Sequence, residues 1–253
     1  METQLDVIAN NLANSATTAF KSSRVNFEDL FYEQRRQPGA LNSLGERTST
    51  GLLVGLGTRV SNTQLDLRQG SLESTGRPLD VAIQGEGLFK VKTFDGIGGG
   101  EAYTRAGNFF PNRDGNLVVG TADGPLLDPP INLPNGTDQG SVTIMGDGRI
   151  MAVVNGVQTE IGQMQLFKFP NPYGLLQAGA NLYTETEASG ASTQGMPGDQ
   201  GFGTLTQNYL ETSNVDPVRE LISMIRTQRS FELNSQTIKA ADQNLQVVSQ
   251  LRR

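Results

Sequence analysis

Apolar residues recur at every seventh position near the end of the chain, where the other positions are mostly Gln, Asn, Ser, Thr and Arg. The members of this series are Met224, Phe231, Ile238 and Leu245. Ala241 and Val248 each follow a member by three residues, as in the a and d places of a heptad. Residues 218–253 contain neither Gly nor Pro, and Asp216 and Pro217 suit a helix cap and a first helical residue. The pattern predicts one helix of about 50 Å.

We call this narrow apolar row the seam of the predicted helix. A lone helix cannot bury its seam, so the helix needs a partner. The start of the chain supplies one, because Leu5, Ile8 and Leu12 also have helical spacing. A surface helix that packs only on its own domain is the alternative. All 30 glycines lie between Gly39 and Gly203, so both ends of the chain are free of glycine. We therefore predict an elongated α core made from the paired N- and C-terminal helices.

The glycine-rich middle of the chain alternates between apolar and polar residues over short stretches, as at 79–83, 88–92 and 163–169. Turn residues separate these stretches, and Asn155-Gly156 is the strongest hairpin signal. The fold class is therefore α+β, with an antiparallel β-domain inserted between the helices. The predicted divisions are an N-terminal helix at 1–30, a linking region with an arm at 31–70, the β-domain at 71–189, a returning linking region at 190–214 and a C-terminal helix at 215–253.

The predicted arm is too polar and too rich in glycine for a core element. It contains the run Gln37-Pro38-Gly39, a polar stretch at 42–50, and then Gly51, Gly55 and Gly57. This composition indicates an extended arm or a long loop, with disorder as the alternative.

Composition excludes several classes of function. The net charge of −6 argues against a nucleic-acid partner. The chain has no cysteine and no histidine, which removes thiolate chemistry and the usual general base. No apolar run is long enough for membrane insertion, and the N-terminus does not have the features of a cleaved secretory signal.

No set of residues predicts a catalytic centre, a metal or a cofactor. Asn112, Asp114 and Asn116 have the spacing of the first calcium-loop ligands, but Leu117 and Asp123 stand where such a loop needs Gly and Glu. A hairpin turn explains the segment better. A glycosidase that uses two carboxylates is formally possible, but the spacing selects no pair. We therefore expect a protein that is not an enzyme.

The stretch 5–14, which contains Asn10, Asn11 and Asn14, resembles the N-terminal motif of the bacterial flagellar rod and hook proteins. Further segments are similar to the same family, at 18–21, 27–30, 80–87, 103–105, 181–186 and 211–215. The arm residues Gln37, Pro38, Gly39, Gly51, Gly55 and Gly57 resemble the insertion of the distal-rod members. Family members begin with a further helical stretch, so we expect Met1 to be an internal position, through a misassigned start or removal of the first turns.

The resemblance implies a structural subunit of the periplasm-spanning rod of the basal body, exported without a cleaved signal. The subunit would form a helical homopolymer that transmits torque, with Leu5, Ile8 and Leu12 meeting the seam of Met224, Phe231, Ile238 and Leu245. Its other expected partners are the proximal-rod and hook proteins, the surrounding ring proteins and the export apparatus. A hook or proximal-rod subunit and a peptidoglycan-interacting β-domain are the alternatives.

Overall fold

The computed structural model of the protein describes residues 1–39, 50–93, 97–134, 137, 139–154 and 156–251. Its helices are α1, Glu2–Ala13, and α2, Pro217–Leu251. The strands before residue 100 are β1 Ser23–Asp29, β2 Tyr32–Arg36, β3 Leu52–Gly55, β4 Thr58–Leu65, β5 Leu72–Ser74, β6 Val81–Gln84 and β7 Phe89–Lys92. The next are β8 Glu101–Thr104, β9 Phe109–Pro111, β10 Leu117–Val119, β11 Leu126–Asp128, β12 Thr143–Ile144, β13 Arg149–Val154 and β14 Val157–Gln163. The last are β15 Leu166–Lys168, β16 Leu176–Gly179, β17 Leu182–Thr184, β18 Thr193–Gly195, β19 Thr204–Gln207 and β20 Tyr209–Glu211.

The chain has a helix at each end of its sequence and antiparallel strands between them, which confirms the predicted mixture of α and β structure. The long C-terminal helix begins where its sequence predicts. The Asp216 side chain caps it, since Oδ1 accepts hydrogen bonds from the backbone N–H groups of Val218 at 3.1 Å and Arg219 at 3.2 Å. From the sequence we also expect Arg252 and Arg253 to complement the negative end of the helix dipole, but both lie outside the described residues.

The N-terminal helix is much shorter than the predicted segment 1–30, because α1 ends at Ala13 and β1 follows. Polar side chains after Ala13 form a turn that competes with helix continuation. The Ser15 hydroxyl donates to the Leu12 carbonyl at 2.8 Å, and the Thr17 hydroxyl donates to Asn14 Oδ1 at 3.1 Å. The prediction of an N-terminal helix over 1–30 was therefore wrong beyond Ala13.

The chain divides into two compact units. Unit 1 comprises Met1–Asn10, Ser23–Leu65 and Leu221–Arg253, and unit 2 comprises Asn11–Ser22 and Asp66–Glu220. Each unit thus combines segments that lie far apart in the sequence.

Outside its helical segments, unit 1 is a pair of two-stranded ladders. Strand β1 pairs with β4 from Ser23↔Leu65 to Asp29↔Thr58, and β2 pairs with β3. The sequence predicted an extended arm or a long loop over 31–70. The described part is mostly paired β-strand, so a long loop is wrong there, and the role of the segment as an arm stays a prediction. Residues such as Leu53, Val54 and Val60 favour strands, and a two-stranded ribbon can form from them although its residues are largely exposed.

Unit 2 is built around a seven-stranded antiparallel sheet with the order β16-β17-β8-β7-β11-β10-β9. A separate three-stranded sheet joins β12, β13 and β14, and Val154 pairs with Val157 across the predicted hairpin, whose Asn155 lies outside the described residues. Apolar side chains from both sheets and from the shorter ladders β6–β19 and β15–β18 form one core. Its fully buried members include Val81, Ile83, Phe89, Val91, Phe109, Leu117, Ile150 and Leu166.

The predicted returning link at 190–214 contains three strands of unit 2. Strand β18 pairs with β15, β19 with β6, and β20 with β5. Alternation explains the difference, since Leu205 is buried in the core between the exposed Thr204 and the partly exposed Thr206. The β structure therefore continues well beyond the predicted boundary at residue 189.

Candidate assembly surfaces and the buried ionic cluster

The predicted seam of α2 is largely open to solvent in the single chain. Phe231, Ile238 and Leu245 are 60%, 62% and 68% exposed, whereas Met224 is half-buried. The side chain of Val248 lies outside the described set. Large apolar side chains that remain so exposed along one helix are typical of a surface that another chain covers.

The N-terminal part of the predicted seam is better covered. Ile8 is buried, and Leu5 and Leu12 are half-buried. Polar contacts connect α1 with α2: Asn11 Nδ2 donates to Glu220 Oε1 at 3.2 Å, and Asn234 Nδ2 lies 3.7 Å from the Met1 sulfur. Burial raises the pKa of the Glu220 carboxyl, and the Asn11 hydrogen bond lowers that pKa in part. Contact between Leu5, Ile8 and Leu12 and the exposed seam residues of α2 remains a prediction.

The three asparagines of the family motif have different surroundings. Asn10 is exposed, Asn11 is buried beside Glu220, and Asn14 accepts the Thr17 hydroxyl in the turn after α1. Asn11 and Asn14 therefore form hydrogen bonds at the end of α1 and in the turn that follows it.

The arm residues lie in and around the β2–β3 ladder. Gln37, Pro38 and Gly39 are exposed, and the predicted polar stretch is outside the described residues over 42–49. Gly51 is close to the Arg36 carbonyl and the Pro38 ring, where a Cβ would come within 2.7 Å of the Arg36 oxygen. Gly57 has a φ of +105°, which favours glycine, and Gly55 is exposed.

Large apolar side chains on this ladder and directly beside it are exposed in the single chain. Phe31 is 89% exposed, and Tyr32, Leu53 and Leu56 are 58%, 56% and 60% exposed. Together with the seam of α2, this apolar surface gives unit 1 two regions suited to association.

Sequence reasoning missed a group of charges buried in unit 2, which we call the ionic cluster: Lys21, Arg105 and Glu211. Lys21 Nζ lies 2.5 Å from Glu211 Oε1, and Arg105 Nε lies 2.6 Å from Glu211 Oε2. Their side chains are 1%, 9% and 0% exposed. Desolvation lowers the pKa of the Lys21 ammonium, against the opposing effect of Glu211.

All three side chains of the cluster also form hydrogen bonds with backbone groups. Glu211 Oε1 also accepts the Gly70 N–H at 2.9 Å, and Lys21 Nζ donates to the Arg68 carbonyl at 2.7 Å. Arg105 donates to backbone carbonyls through both terminal nitrogens. The acceptors are those of Gly87 at 3.1 Å, Gly85 at 2.8 Å and Ile83 at 3.2 Å. The one sequence signal for the cluster is that each of its three charged residues lies in a segment similar to the rod and hook family.

Asn214 makes a second junction of the same kind. Its Oδ1 accepts the Ser22 N–H at 2.8 Å, and its Nδ2 donates to the Asp66 carbonyl at 2.7 Å and the Arg68 carbonyl at 3.1 Å. One side chain thus fixes the segment before β1, the segment after β4 and the approach to α2.

The calcium-like segment is a hairpin turn. Asn112 Oδ1 accepts the N–H groups of Asp114 and Asn116, each at 2.9 Å, and Gly115 has a φ of +81°. Within the described residues there is no group of three or more acidic, His or Cys side chains that could hold a metal ion. Across the same part of the chain, no helix combines the length and the apolar character needed to cross a membrane.

Two family models match the chain. The model described as flagellar basal body rod FlgEFG protein C-terminal matches residues 206–251, and the one described as flagellar hook protein FlgE/F/G D1 domain matches residues 82–152. The flagellar basal-body rod protein FlgG of Buchnera aphidicola subsp. Acyrthosiphon pisum is 44% identical over 98% of this chain and 93% of its own length. The chain belongs to the flagellar basal-body rod protein family.

Other members of the rod protein family also match this chain over nearly its whole length. The FlgG proteins of Caulobacter vibrioides and Bacillus subtilis are 44% and 39% identical, over 98% and 100% of this chain and 93% and 94% of their own lengths. The match to the rod C-terminal model includes Glu211, Asn214 and the whole of α2. It therefore covers one member of the ionic cluster, the Asn214 junction and the exposed seam. The resemblance of the end segments to rod and hook proteins is therefore confirmed.

Proposed function

We propose that this chain is a structural subunit of the flagellar distal rod, a stiff helical tube that copies of the chain build and that transmits torque from the motor to the hook. Membership of the rod protein family supports the assignment. The observation that carries the polymeric mechanism is the row of exposed apolar side chains on α2, at Phe231, Ile238 and Leu245. Such a row loses unfavourable contact with water only when other chains cover it.

In the proposed tube, the terminal helices of neighbouring subunits close one another's seams. Leu5, Ile8 and Leu12 would contact the seam of α2, which contains Met224, Phe231, Ile238 and Leu245. Contacts between unlike surfaces that do not close into a ring generate a helical filament. The pairing of helices would thus take place mainly between subunits and line the inner tube, with the β structure outside.

The β2–β3 ladder would provide the stiffness. Phe31, Tyr32, Leu53 and Leu56 are exposed on it, and we expect it to lie against adjacent subunits. Contacts between neighbours that are separate from the helical seam restrain bending, because a bend would break them on one side of the tube. The arm, with Gln37, Pro38, Gly39, Gly51, Gly55 and Gly57, is accordingly a mechanical element.

The rod would cross the periplasm within the basal body, after export without a cleaved signal. Its ends would contact the proximal-rod and hook proteins, ring proteins would surround it, and the export apparatus would deliver its subunits. Torque transmission needs no step of bond chemistry, in keeping with a structural family. A hook or proximal-rod subunit is the second candidate, because the matched D1 model is described for FlgE, FlgF and FlgG together.

Polymerisation of the purified chain tests the proposal. Electron microscopy of the assembled material should show straight tubes with a helical repeat. Curved tubes would favour the hook alternative, and a chain that remains monomeric at all concentrations would overturn the proposal. Digestion of cell-wall material by the purified chain would instead favour the peptidoglycan alternative.

A further inference from the structure

A basic cleft opens in unit 2 beside the ionic cluster, with a volume of about 420 Å³. Its charged lining consists of Lys21, Arg68, Arg105, Lys168 and a single acid, Glu86. The chain as a whole has 26 acidic and 20 basic residues. The lining is therefore more basic than the chain as a whole, although Arg68 and Lys168 are already paired with Asp66 and Glu86. The excess positive charge lies with Lys21 and Arg105, which share Glu211.

The floor of the cleft has an excess of positive charge because two buried cations share one carboxylate. Glu211 already accepts hydrogen bonds from Lys21, Arg105 and the Gly70 N–H. Lys21 Nζ uses two of its three N–H groups, on Glu211 and the Arg68 carbonyl. An uncompensated buried cation is costly, so an incoming carboxylate would be stabilised here.

The walls of the cleft are aromatic and proline-rich. Phe167, Phe169 and Pro170 line it, Tyr173 stands 57% exposed in the lining, and Tyr183 lies almost fully buried. Tyr183 belongs to the lining beside the ionic cluster, since Glu211 and Arg105 both act on its phenol. Flat aromatic faces with a few polar groups suit an aromatic side chain beside an acid.

The chain itself carries a segment of that chemistry in unit 1. Residues 29–33 read Asp-Leu-Phe-Tyr-Glu, and Phe31 is 89% exposed. The backbone there is already held, since the Leu30 N–H donates to the Gly57 carbonyl at 2.9 Å and the Leu56 N–H donates to the Phe31 carbonyl at 3.3 Å. Such a pre-ordered segment loses little conformational entropy on binding.

We propose that the basic cleft of one subunit receives residues 29–33 of a second copy of this chain, with the Phe31 ring against the aromatic walls and the Asp29 carboxylate toward the cationic floor. Alternate residues of an extended segment face the same side, so Asp29, Phe31 and Glu33 can address one surface. The acid–aromatic–acid pattern complements the basic and aromatic cleft. This inference rests on the proposed self-assembly. It identifies the cleft as the site on a neighbouring subunit that binds the start of the β2–β3 ladder.

Cross-linking between two variants tests the contact, and the absence of native cysteine makes each link specific. One variant carries Glu33→Cys and the other carries Tyr173→Cys, and the two are co-assembled and treated with a short bis-maleimide. The expected main product is a dimer linked between chains. A matched mixture with Arg113→Cys, an exposed residue outside the cleft lining, should give at least tenfold less dimer. Tubes that form normally without the selective dimer would overturn the inference while leaving the proposed function intact.

A peptide titration tests binding to the cleft in the unassembled chain, even if no tubes form. A labelled peptide of residues 27–35 should bind the full chain saturably at one site, as measured by fluorescence anisotropy. Phe31→Ser in the peptide, or Lys168→Glu in the chain, should weaken binding at least tenfold. Arg113→Glu, the charge-reversal control, should leave it within twofold. Absence of saturable binding, or binding insensitive to both changes, would contradict the proposed contact.

Discussion

The Lys21 ammonium lies 2.5 Å from Glu211 Oε1, although 190 positions separate the two residues and neither side chain reaches solvent. The pair joins the segment before β1 to the end of β20, shortly before α2 begins. It therefore holds together the parts of unit 2 from which the two terminal regions of the chain depart. Arg105 completes the cluster on the other carboxylate oxygen.

Glu211→Gln should destabilise unit 2 more than Lys21→Met. The Gln variant leaves two buried cations without an anion, whereas the Met variant leaves a neutral pair of Arg105 and Glu211. Removal of one partner of a buried ion pair costs about 3–5 kcal/mol, and we expect Glu211→Gln to lower the free energy of unfolding by about that amount. Urea denaturation of the monomer measures the difference.

The exposed ion pair of Lys168 with Glu86 provides a control for this comparison. Glu86→Gln should change the free energy of unfolding by less than about 1 kcal/mol, since exposed pairs contribute little. A larger loss for Lys21→Met than for Glu211→Gln would contradict the charge accounting in the cluster.

The buried phenol of Tyr183 should weaken the fold at high pH. Burial, with a smaller contribution from Glu211, raises the pKa of Tyr183 to about 12 from its ordinary value of 10.0. Between these values the unfolded phenol loses its proton while the folded one keeps it, so the free energy of unfolding falls as pH rises. Between pH 10.0 and about pH 12, the free energy of unfolding should fall by about 3 kcal/mol.

Comparison with Tyr183→Phe isolates this effect from the titration of lysines. The difference in unfolding free energy between the two proteins should be nearly independent of pH below about pH 10 and should change progressively above it. Parallel curves up to pH 12 would show that Tyr183 ionises as freely in the folded chain as in the unfolded one.

Asn214→Ala should cost unit 2 about 2–4 kcal/mol, because it removes one acceptor and two donor contacts and leaves partly buried backbone groups without partners. Asn132→Ala is the matched control. Its amide bonds only exposed groups, the Asp114 carbonyl and Asn116 Oδ1, and its loss should cost below about 1 kcal/mol. Thermal unfolding of both variants checks the order, and equal losses would contradict the assigned junction.

Phe231→Gln and Ile238→Asn should block polymerisation and leave the monomer stable. Both native side chains are more than half exposed, so the single chain gains little from them. Gln236→Ser on the same helix is the control and should assemble normally. Sedimentation measures the polymer and circular dichroism measures the fold. Normal tubes from either seam variant would remove those residues from the interface.

Local signals predicted the elements that depend on neighbouring residues. The absence of Gly and Pro after Pro217, together with the Asp216 cap, located the start of α2 to within a residue. Alternation located β6 and β7, and Asn112 with Gly115 specified a turn. Each of these depends on propensity or on hydrogen bonds within a few positions, which a sequence states directly.

Distant partners escaped prediction for a physical reason. Strands β2 and β3 have no apolar face toward a core, so the usual period-2 signal was weak, and their stability comes from pairing with each other. Glu211 and Lys21 belong to different ends of the chain, and no pattern specifies that two charges become buried together. The same limit applies to the basic cleft, whose lining spans residues from Lys21 to Tyr183.

Amide hydrogen exchange along α2, in monomer and in polymer, tests most directly whether copies of the chain cover its exposed seam. We expect rapid exchange over residues 231–247 in the monomer, where few tertiary contacts stabilise the helix, and protection at least a hundredfold greater in assembled tubes. Strong protection in the monomer, or exchange that is unchanged on assembly, would contradict this expectation.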